Sequence, residues 1–143
     1  MTAKTFISAI CVALLVASSA VAEAVVIVNK ANPVKGVSLK DLGKLYKGKR
    51  RRWIDGTPVK LVLPQSGSSE MAKLLSAIGI KSEEALSRLY LKLIYQQKIQ
   101  SEPSKLDASS AVKAVMADKG AIAVVDDSAA SGGDVRVIKV DGL

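Results

Sequence analysis

The fold of this chain is organised around the segment Leu61-Val62-Leu63-Pro64-Gln65-Ser66-Gly67-Ser68-Ser69-Glu70-Met71. Before Pro64, apolar residues alternate along the chain in the way that is typical of a β-strand. After the polar loop, apolar residues recur at the spacing of an amphipathic helix, namely Met71, Leu74, Leu75 and Ile78. The segment therefore predicts a strand, a loop and a helix in succession.

The polar loop contains the candidate anion-binding residues, which are Ser66, Gly67, Ser68 and Ser69. The first backbone N–H groups of a helix have no intrahelical partner and lie at the positive end of the helix dipole. Serine hydroxyls add further donors, and Gly67 lets the main chain approach a ligand closely. Such a loop is able to hold a small oxyanion. The alternative is that Ser66 or Ser68 only caps the helix.

The N-terminal residues have the features of a secretory signal peptide. The basic residue Lys4 precedes the apolar stretch 6–17, and Ala20-Val21-Ala22 has the small-x-small pattern of a cleavage site. The apolar stretch is too short for a membrane span. The sequence therefore predicts a signal peptide at residues 1–22 and a single periplasmic domain at residues 23–143, which has 143 − 22 = 121 residues.

Composition excludes several kinds of chemistry in the mature domain. The chain has no histidine, and its single cysteine, Cys11, lies within the predicted signal peptide. Disulfides, Cys-His zinc sites, cysteine nucleophiles and Ser-His-Asp triads are therefore excluded. We expect a protein that is not an enzyme and that uses neither a metal nor a cofactor. The net charge of +8 favours anionic partners, whereas the aromatic content of 3% argues against nucleic acid binding.

Strands and helices are predicted to alternate along residues 23–143. Ala24–Val28 and Ala121–Val125 are continuous apolar runs typical of strands buried on both faces, and a last strand with Val135, Val137 and Val140 is predicted at a sheet edge. Helices are predicted to start at Ser38, at Ser82 and at Ser109 or Ser110. Residues 96–106 are predicted to be a loop, and residues 128–133 to be flexible. This order predicts an α/β domain with a mostly parallel sheet, in which ligands bind at the carboxyl ends of strands.

The densest positive charge lies at Lys47-Gly48-Lys49-Arg50-Arg51-Arg52-Trp53. One hypothesis is that Arg50, Arg51 and Arg52 contact an anionic partner or lipid headgroups. The alternative is a solvated loop in which Trp53 packs against the core.

Several segments, taken in order, resemble the phosphate-transporter substrate-binding proteins. They are Val26–Pro33, Leu39–Val59 with its Leu-Tyr-Lys-Gly-Lys and Trp-Ile-Asp-Gly-Thr-Pro-Val runs, Arg88–Tyr95 and Gly120–Val125. The resemblance implies a single, three-layer lobe of a type 2 periplasmic binding protein, related to the substrate-binding component of an ABC transporter for phosphate uptake. It also implies that the serine loop binds phosphate.

The sequence departs from the family pattern at several places. Leu63-Pro64-Gln65 lacks the arginine that often precedes the loop, and Ala123-Val124 replaces a Gly-Tyr pair. Family members hold the anion between two lobes, and this chain has residues for one. The leading hypothesis is an exported protein that binds phosphate or a similar oxyanion. The alternative is a ligand-free interaction module that docks on an envelope protein or an anionic surface. A homodimer would rebuild a two-lobed site and reconcile the two.

Overall fold

The computed structural model describes residues 23–143, so the predicted signal peptide lies outside the described residues. The elements in chain order are β1 (Ala24–Asn29), α1 (Leu39–Tyr46), β2 (Lys60–Leu63), α2 (Ser69–Ile78), α3 (Glu83–Tyr95), β3 (Ser104–Lys105), α4 (Ala108–Ala117), β4 (Ala121–Asp126), α5 (Asp127–Ser131) and β5 (Val135–Ile138). None of the helices within residues 23–143 has both the length and the apolar composition that crossing a bilayer requires.

The strands form one sheet in the order β3-β2-β4-β1-β5. Strand β2 is parallel to both β3 and β4, whereas β1 is antiparallel to both β4 and β5. Four strands therefore run in one direction and only β1 opposes them, which confirms the predicted α/β class with a mostly parallel sheet. The predicted edge position of the last strand is also confirmed.

Helices cover both faces of the sheet, and each face has its own apolar core. Val26 and Ile122 pack on the side of α1, α2 and α3. Ile27 and Ala123 pack on the side of α4 and α5. Because successive side chains of a strand point to opposite faces, a fully apolar strand such as β1 contributes to both cores. The domain is a three-layer structure with the sheet in the middle.

Two predicted helix starts are confirmed. The Asp41 N–H donates to Ser38 Oγ at 3.1 Å, and the Ser38 N–H donates back to Asp41 Oδ2 at 3.4 Å, which completes a capping box at α1. The Ala85 N–H donates to Ser82 Oγ at 3.1 Å and so caps α3.

Three local predictions were wrong. Helix α4 is capped by Asp107, which accepts from the Ser110 N–H at 2.7 Å, and not by a serine, because a carboxylate caps equally well. The predicted loop contains β3, where Ser104 pairs with Val62. The segment predicted to be flexible contains α5, because Asp126 accepts from the Ala129 N–H at 2.7 Å and caps it.

Two buried tyrosines join α1, α3 and the sheet through their hydroxyls. Tyr46 donates to the Val62 carbonyl at 2.9 Å, and Tyr90 donates to the Tyr46 carbonyl at 2.8 Å. Burial raises the pKa of both hydroxyls above the usual 10.0, so both stay protonated and act as donors.

Replacing Tyr90 by Phe should lower the free energy of unfolding by about 1–2 kcal/mol, because the buried Tyr46 carbonyl loses its donor. Urea unfolding measures this change. Tyr95 on the same helix is 90% exposed, so Tyr95→Phe is the matched control and should change stability by less than about 0.5 kcal/mol. Equal effects of the two substitutions would contradict the role of the Tyr90 hydroxyl.

Candidate anion-binding site

The serine loop connects β2 to α2 at the carboxyl end of β2. Ser68 is the N-cap residue of α2, and Ser69 is the first residue of the helix. Strands β4 and β3 flank β2 and run parallel to it, so their carboxyl ends lie at the same edge of the sheet. The loop therefore lies where ligands bind in open α/β sheets.

The single hydrogen-bond donor of the Ser68 hydroxyl is used by the local structure. It accepts from the Met71 N–H at 3.1 Å and donates to the Gln65 carbonyl at 2.7 Å. The alternative that a serine of this loop caps the helix is thus confirmed for Ser68. An anion could accept from this hydroxyl only if the hydroxyl gave up its hydrogen bond to the Gln65 carbonyl, which typically costs about 1 kcal/mol.

The other groups of the loop surround the carboxylate of Glu83, in the first turn of α3. The Gly67 N–H donates to Glu83 Oε2 at 3.0 Å. Lys105 Nζ lies 3.2 Å from Glu83 Oε1 and 3.2 Å from Ser66 Oγ. Gly67 has a φ of +74°, a backbone conformation that favours glycine. The loop therefore already binds an oxyanion, which is supplied by its own chain.

These contacts stabilise the ionised form of the carboxylate. The Gly67 N–H, followed by the Ser66 hydroxyl and the Lys105 ammonium group, holds the pKa of Glu83 below its usual 4.5. Glu83 Oε1 is buried, and within residues 23–143 it has no aligned hydrogen-bond donor. The carboxylate is therefore charged at neutral pH, but its hydrogen bonding in the loop is incomplete.

A cavity of about 170 Å³ lies beside the serine loop and the ends of β2 and β4. Its lining includes three carboxylates, those of Glu70, Asp107 and Asp126. Asp107 and Asp126 cap α4 and α5, and hydrogen bonds from Ser110 and Ser128 hold their pKa values below the usual 3.8. These negative charges disfavour an anion there. The groove of about 420 Å³ beside Gly67 and Glu83 is the alternative position.

The arginines of the basic segment make structural contacts. Arg51 donates to the Lys98 carbonyl at 2.7 Å, and Arg52 donates to the Gly56 carbonyl at 2.9 Å. Trp53 is buried, and its indole N–H donates to the Gly120 carbonyl at 2.9 Å. The predicted packing of Trp53 against the core is confirmed, whereas contact of Arg50, Arg51 and Arg52 with an anionic partner stays a prediction. Arg50 is half-buried.

Glu83 and Lys105 are the residues of this site that the sequence did not reveal. An acidic residue is favourable in the first turn of any helix, so the presence of Glu83 there did not indicate a binding site. Glu83 also lies 16 positions from Gly67, so no local spacing connects the two residues. Lys105 belongs to β3, which pairs with β2 so that Lys105 lies opposite Leu63. No local pattern predicts a strand of two polar residues, so no sequence signal placed Lys105 beside Ser66.

Comparison with solved structures establishes the fold. A Clostridium perfringens protein crystallised with bound phosphate, and described as a putative phosphate ABC transporter substrate-binding protein, has a TM-score of 0.60 and 23% identity over 84% of this chain and 45% of its own. An ABC-type phosphate transport receptor from Vibrio cholerae has a TM-score of 0.62 and 16% identity over 82% of this chain and 46% of its own. PstS from Borrelia burgdorferi has a TM-score of 0.59 and 12% identity over 82% and 47%.

The chain thus spans less than half the length of these structures. No curated protein matches it in sequence. The family model described as the PBP superfamily domain matches residues 15–137. Since this match covers most of the chain, the protein belongs to the family described by this model, the PBP superfamily domain.

Proposed function

We propose that this chain is an exported binding protein for phosphate or a similar tetrahedral oxyanion, related to the substrate-binding components of phosphate transporters. The observation that supports the proposal best is the carboxylate of Glu83 in the serine loop, 3.0 Å from the Gly67 nitrogen. A loop that stabilises one oxyanion has donors in suitable positions for another. The structural neighbours include a protein solved with bound phosphate and a phosphate transport receptor, which supports the same proposal.

Binding proceeds by exchange. The incoming anion displaces Glu83 and accepts hydrogen bonds from the Gly67 N–H, the Ser66 hydroxyl and the Lys105 ammonium group. Ser69, whose side chain is exposed at the first position of α2, adds a fourth donor at the positive end of the helix. Ser68 keeps its position as the cap and contributes by fixing the start of the helix.

The exchange makes the affinity low. The anion has to replace a charged group that is already bound, and it approaches a surface that also carries Glu84 beside Glu83. The loop is exposed at Ser66 and Gly67, so water screens each new contact. A dianion such as sulfate or the doubly charged form of phosphate has the advantage, because its attraction to Lys105 exceeds that of the single charge that it displaces.

Replacing Lys105 by Met should lower the affinity for sulfate and phosphate by about tenfold, which corresponds to the loss of one charge-assisted contact. Isothermal titration calorimetry at constant ionic strength measures the affinity. Lys139→Met is the matched control, because it removes the same charge from an exposed residue that follows β5, and it should leave the affinity within about twofold. If both variants lose affinity equally, the net charge and not the loop binds the anion, and the proposal is wrong.

A further inference from the structure

A second feature of the surface is a pair of basic grooves remote from the serine loop. The first groove, of about 400 Å³, lies between the ends of α1 and α3, and its cations are Lys47, Lys49, Arg51, Lys92 and Lys98. The second, of about 530 Å³, lies between α1 and the end of α2, shares Lys47 and Lys49, and adds Lys40 and Lys44. We call these seven cations the basic surface. Neither groove is lined by an aspartate or a glutamate.

Ion pairs of the described residues do not neutralise the basic surface, although the carboxylate of Asp41 interacts electrostatically with Lys44. Across residues 23–143, none of its seven cations belongs to a salt bridge, whereas Lys30, Lys60, Lys105 and Lys119 elsewhere each pair with a carboxylate. Like charges held close together repel each other and lower stability. An anionic partner that covers the surface would reduce this repulsion, and each cation that it contacts would strengthen its binding by electrostatic attraction.

Two exposed apolar side chains lie on α3, the helix that contributes Lys92 to the basic surface. Leu91 is 58% exposed and Tyr95 is 90% exposed. They lie four positions apart on α3, so they are neighbours on one helix face, and the exposed cations Arg88 and Lys92 flank them. Leucine and tyrosine beside lysine and arginine is the composition of helices that lie in the interfacial region of a membrane, where tyrosine prefers the level of the headgroups.

We propose that the basic surface docks the protein on an anionic phospholipid bilayer, with its cations against the headgroup phosphates and with Leu91 and Tyr95 entering the interface. Each lysine or arginine near such a surface adds to the attraction, so several acting together suffice for reversible binding.

Helix α3 separates the serine loop from the basic surface. The helix begins with Glu83 at the loop and reaches the basic surface through Lys92 and Gln96 near its end. Its length from Glu83 to Tyr95 corresponds to about 20 Å at the rise of an α-helix. The serine loop and the basic surface are therefore at opposite ends of α3 and share no cation, so that docking and anion binding can be tested separately.

The test is co-sedimentation of the protein with vesicles of pure phosphatidylcholine and with vesicles of phosphatidylcholine mixed with phosphatidylglycerol. We expect binding only to the mixed vesicles, with a bound fraction that falls as salt is added. The variant Lys49→Gln/Lys92→Gln/Lys98→Gln should bind the mixed vesicles at least about tenfold more weakly. The matched variant Lys35→Gln/Lys113→Gln/Lys139→Gln has the same net charge and should bind within about twofold of the parent.

A third variant distinguishes the insertion of apolar side chains into the bilayer from electrostatic attraction to its headgroups. Leu91→Ser/Tyr95→Ser should weaken binding about fivefold or more without changing its salt dependence. Equal binding by the two lysine variants, equal binding to neutral vesicles, or no effect of the serine variant would each overturn the proposal. The substituted side chains are exposed, so no variant should unfold at a lower temperature than the parent, and thermal unfolding serves as the folding control.

Discussion

Replacing Glu83 by Gln will raise the affinity of the chain for sulfate and phosphate at neutral pH by at least about tenfold. In the parent protein the carboxylate occupies the Gly67 N–H at 3.0 Å and pairs with Lys105 at 3.2 Å. An amide still accepts from Gly67 but brings no charge, so the anion displaces it at a lower cost. Calorimetric titration with sulfate gives the result directly.

The matched control for this variant is Glu84→Gln. Glu84 lies beside Glu83 in the first turn of α3 and is exposed, so the substitution removes the same charge at the same distance from the helix dipole. We expect a change below about twofold. An equal gain in both variants would mean that net charge governs anion binding. A loss of affinity in Glu83→Gln would mean that the carboxylate belongs to the binding site.

The pH dependence provides a second readout of the same exchange. The folded-state pKa of Glu83 is below its usual 4.5. The ionised carboxylate therefore keeps its contacts with the loop at any pH above 4.5, and it loses them as the pH falls through the lowered pKa. Sulfate affinity of the parent should therefore increase on acidification below pH 4.5. The Glu83→Gln variant reports the background from all other carboxylates and should show a smaller increase.

Replacing Gly120 by Ala will lower the free energy of unfolding by about 3 kcal/mol. A Cβ at this position would lie 2.0 Å from the Pro58 carbonyl oxygen, which is backbone and has no rotamer to adopt. The Gly120 carbonyl also accepts from the Lys60 N–H and from the Trp53 indole, each at 2.9 Å. Any shift that relieves the clash disturbs the entry to β2 and the contact of Trp53. Urea unfolding followed by Trp53 fluorescence measures the loss.

Gly43→Ala is the matched substitution, and we expect it to change the free energy of unfolding in the opposite direction. Gly43 is within α1, and a Cβ there would meet no atom within 4 Å. Alanine is favoured over glycine in a helix by about 1 kcal/mol, so this variant should gain stability. A loss in Gly43→Ala as large as that in Gly120→Ala would show that the approach of Pro58 is not the cause.

The sequence predicted the elements whose signals are local. The apolar runs of β1 and β4, the capping box at Ser38 and the cap at Ser82 were all predicted, because each depends on residues within one turn or one strand. The helix start at Asp107 was missed for a similar reason, since several polar residues in a row can each serve as a cap.

The candidate site could be predicted only in part. Ser66, Gly67, Ser68 and Ser69 were predicted because a strand, a polar loop and a helix follow one another directly. The groups that surround the loop come from α3 and β3, and their approach is fixed by tertiary packing and not by a local pattern. The direction of β1 was equally hidden, since a strand that is apolar on both faces has the same composition in either orientation.

The position of β1 has a consequence for the order of folding. This strand is at the start of the described chain, yet it lies between β4 and β5, and Ala24 pairs with Asp126, 126 − 24 = 102 positions away. Neither of the two cores can close until the last quarter of the chain is available, because β1, which contributes to both cores, has no partner strand before then. Contacts of such long sequence separation slow folding. The two cores would therefore form only after most of the polypeptide has been synthesised.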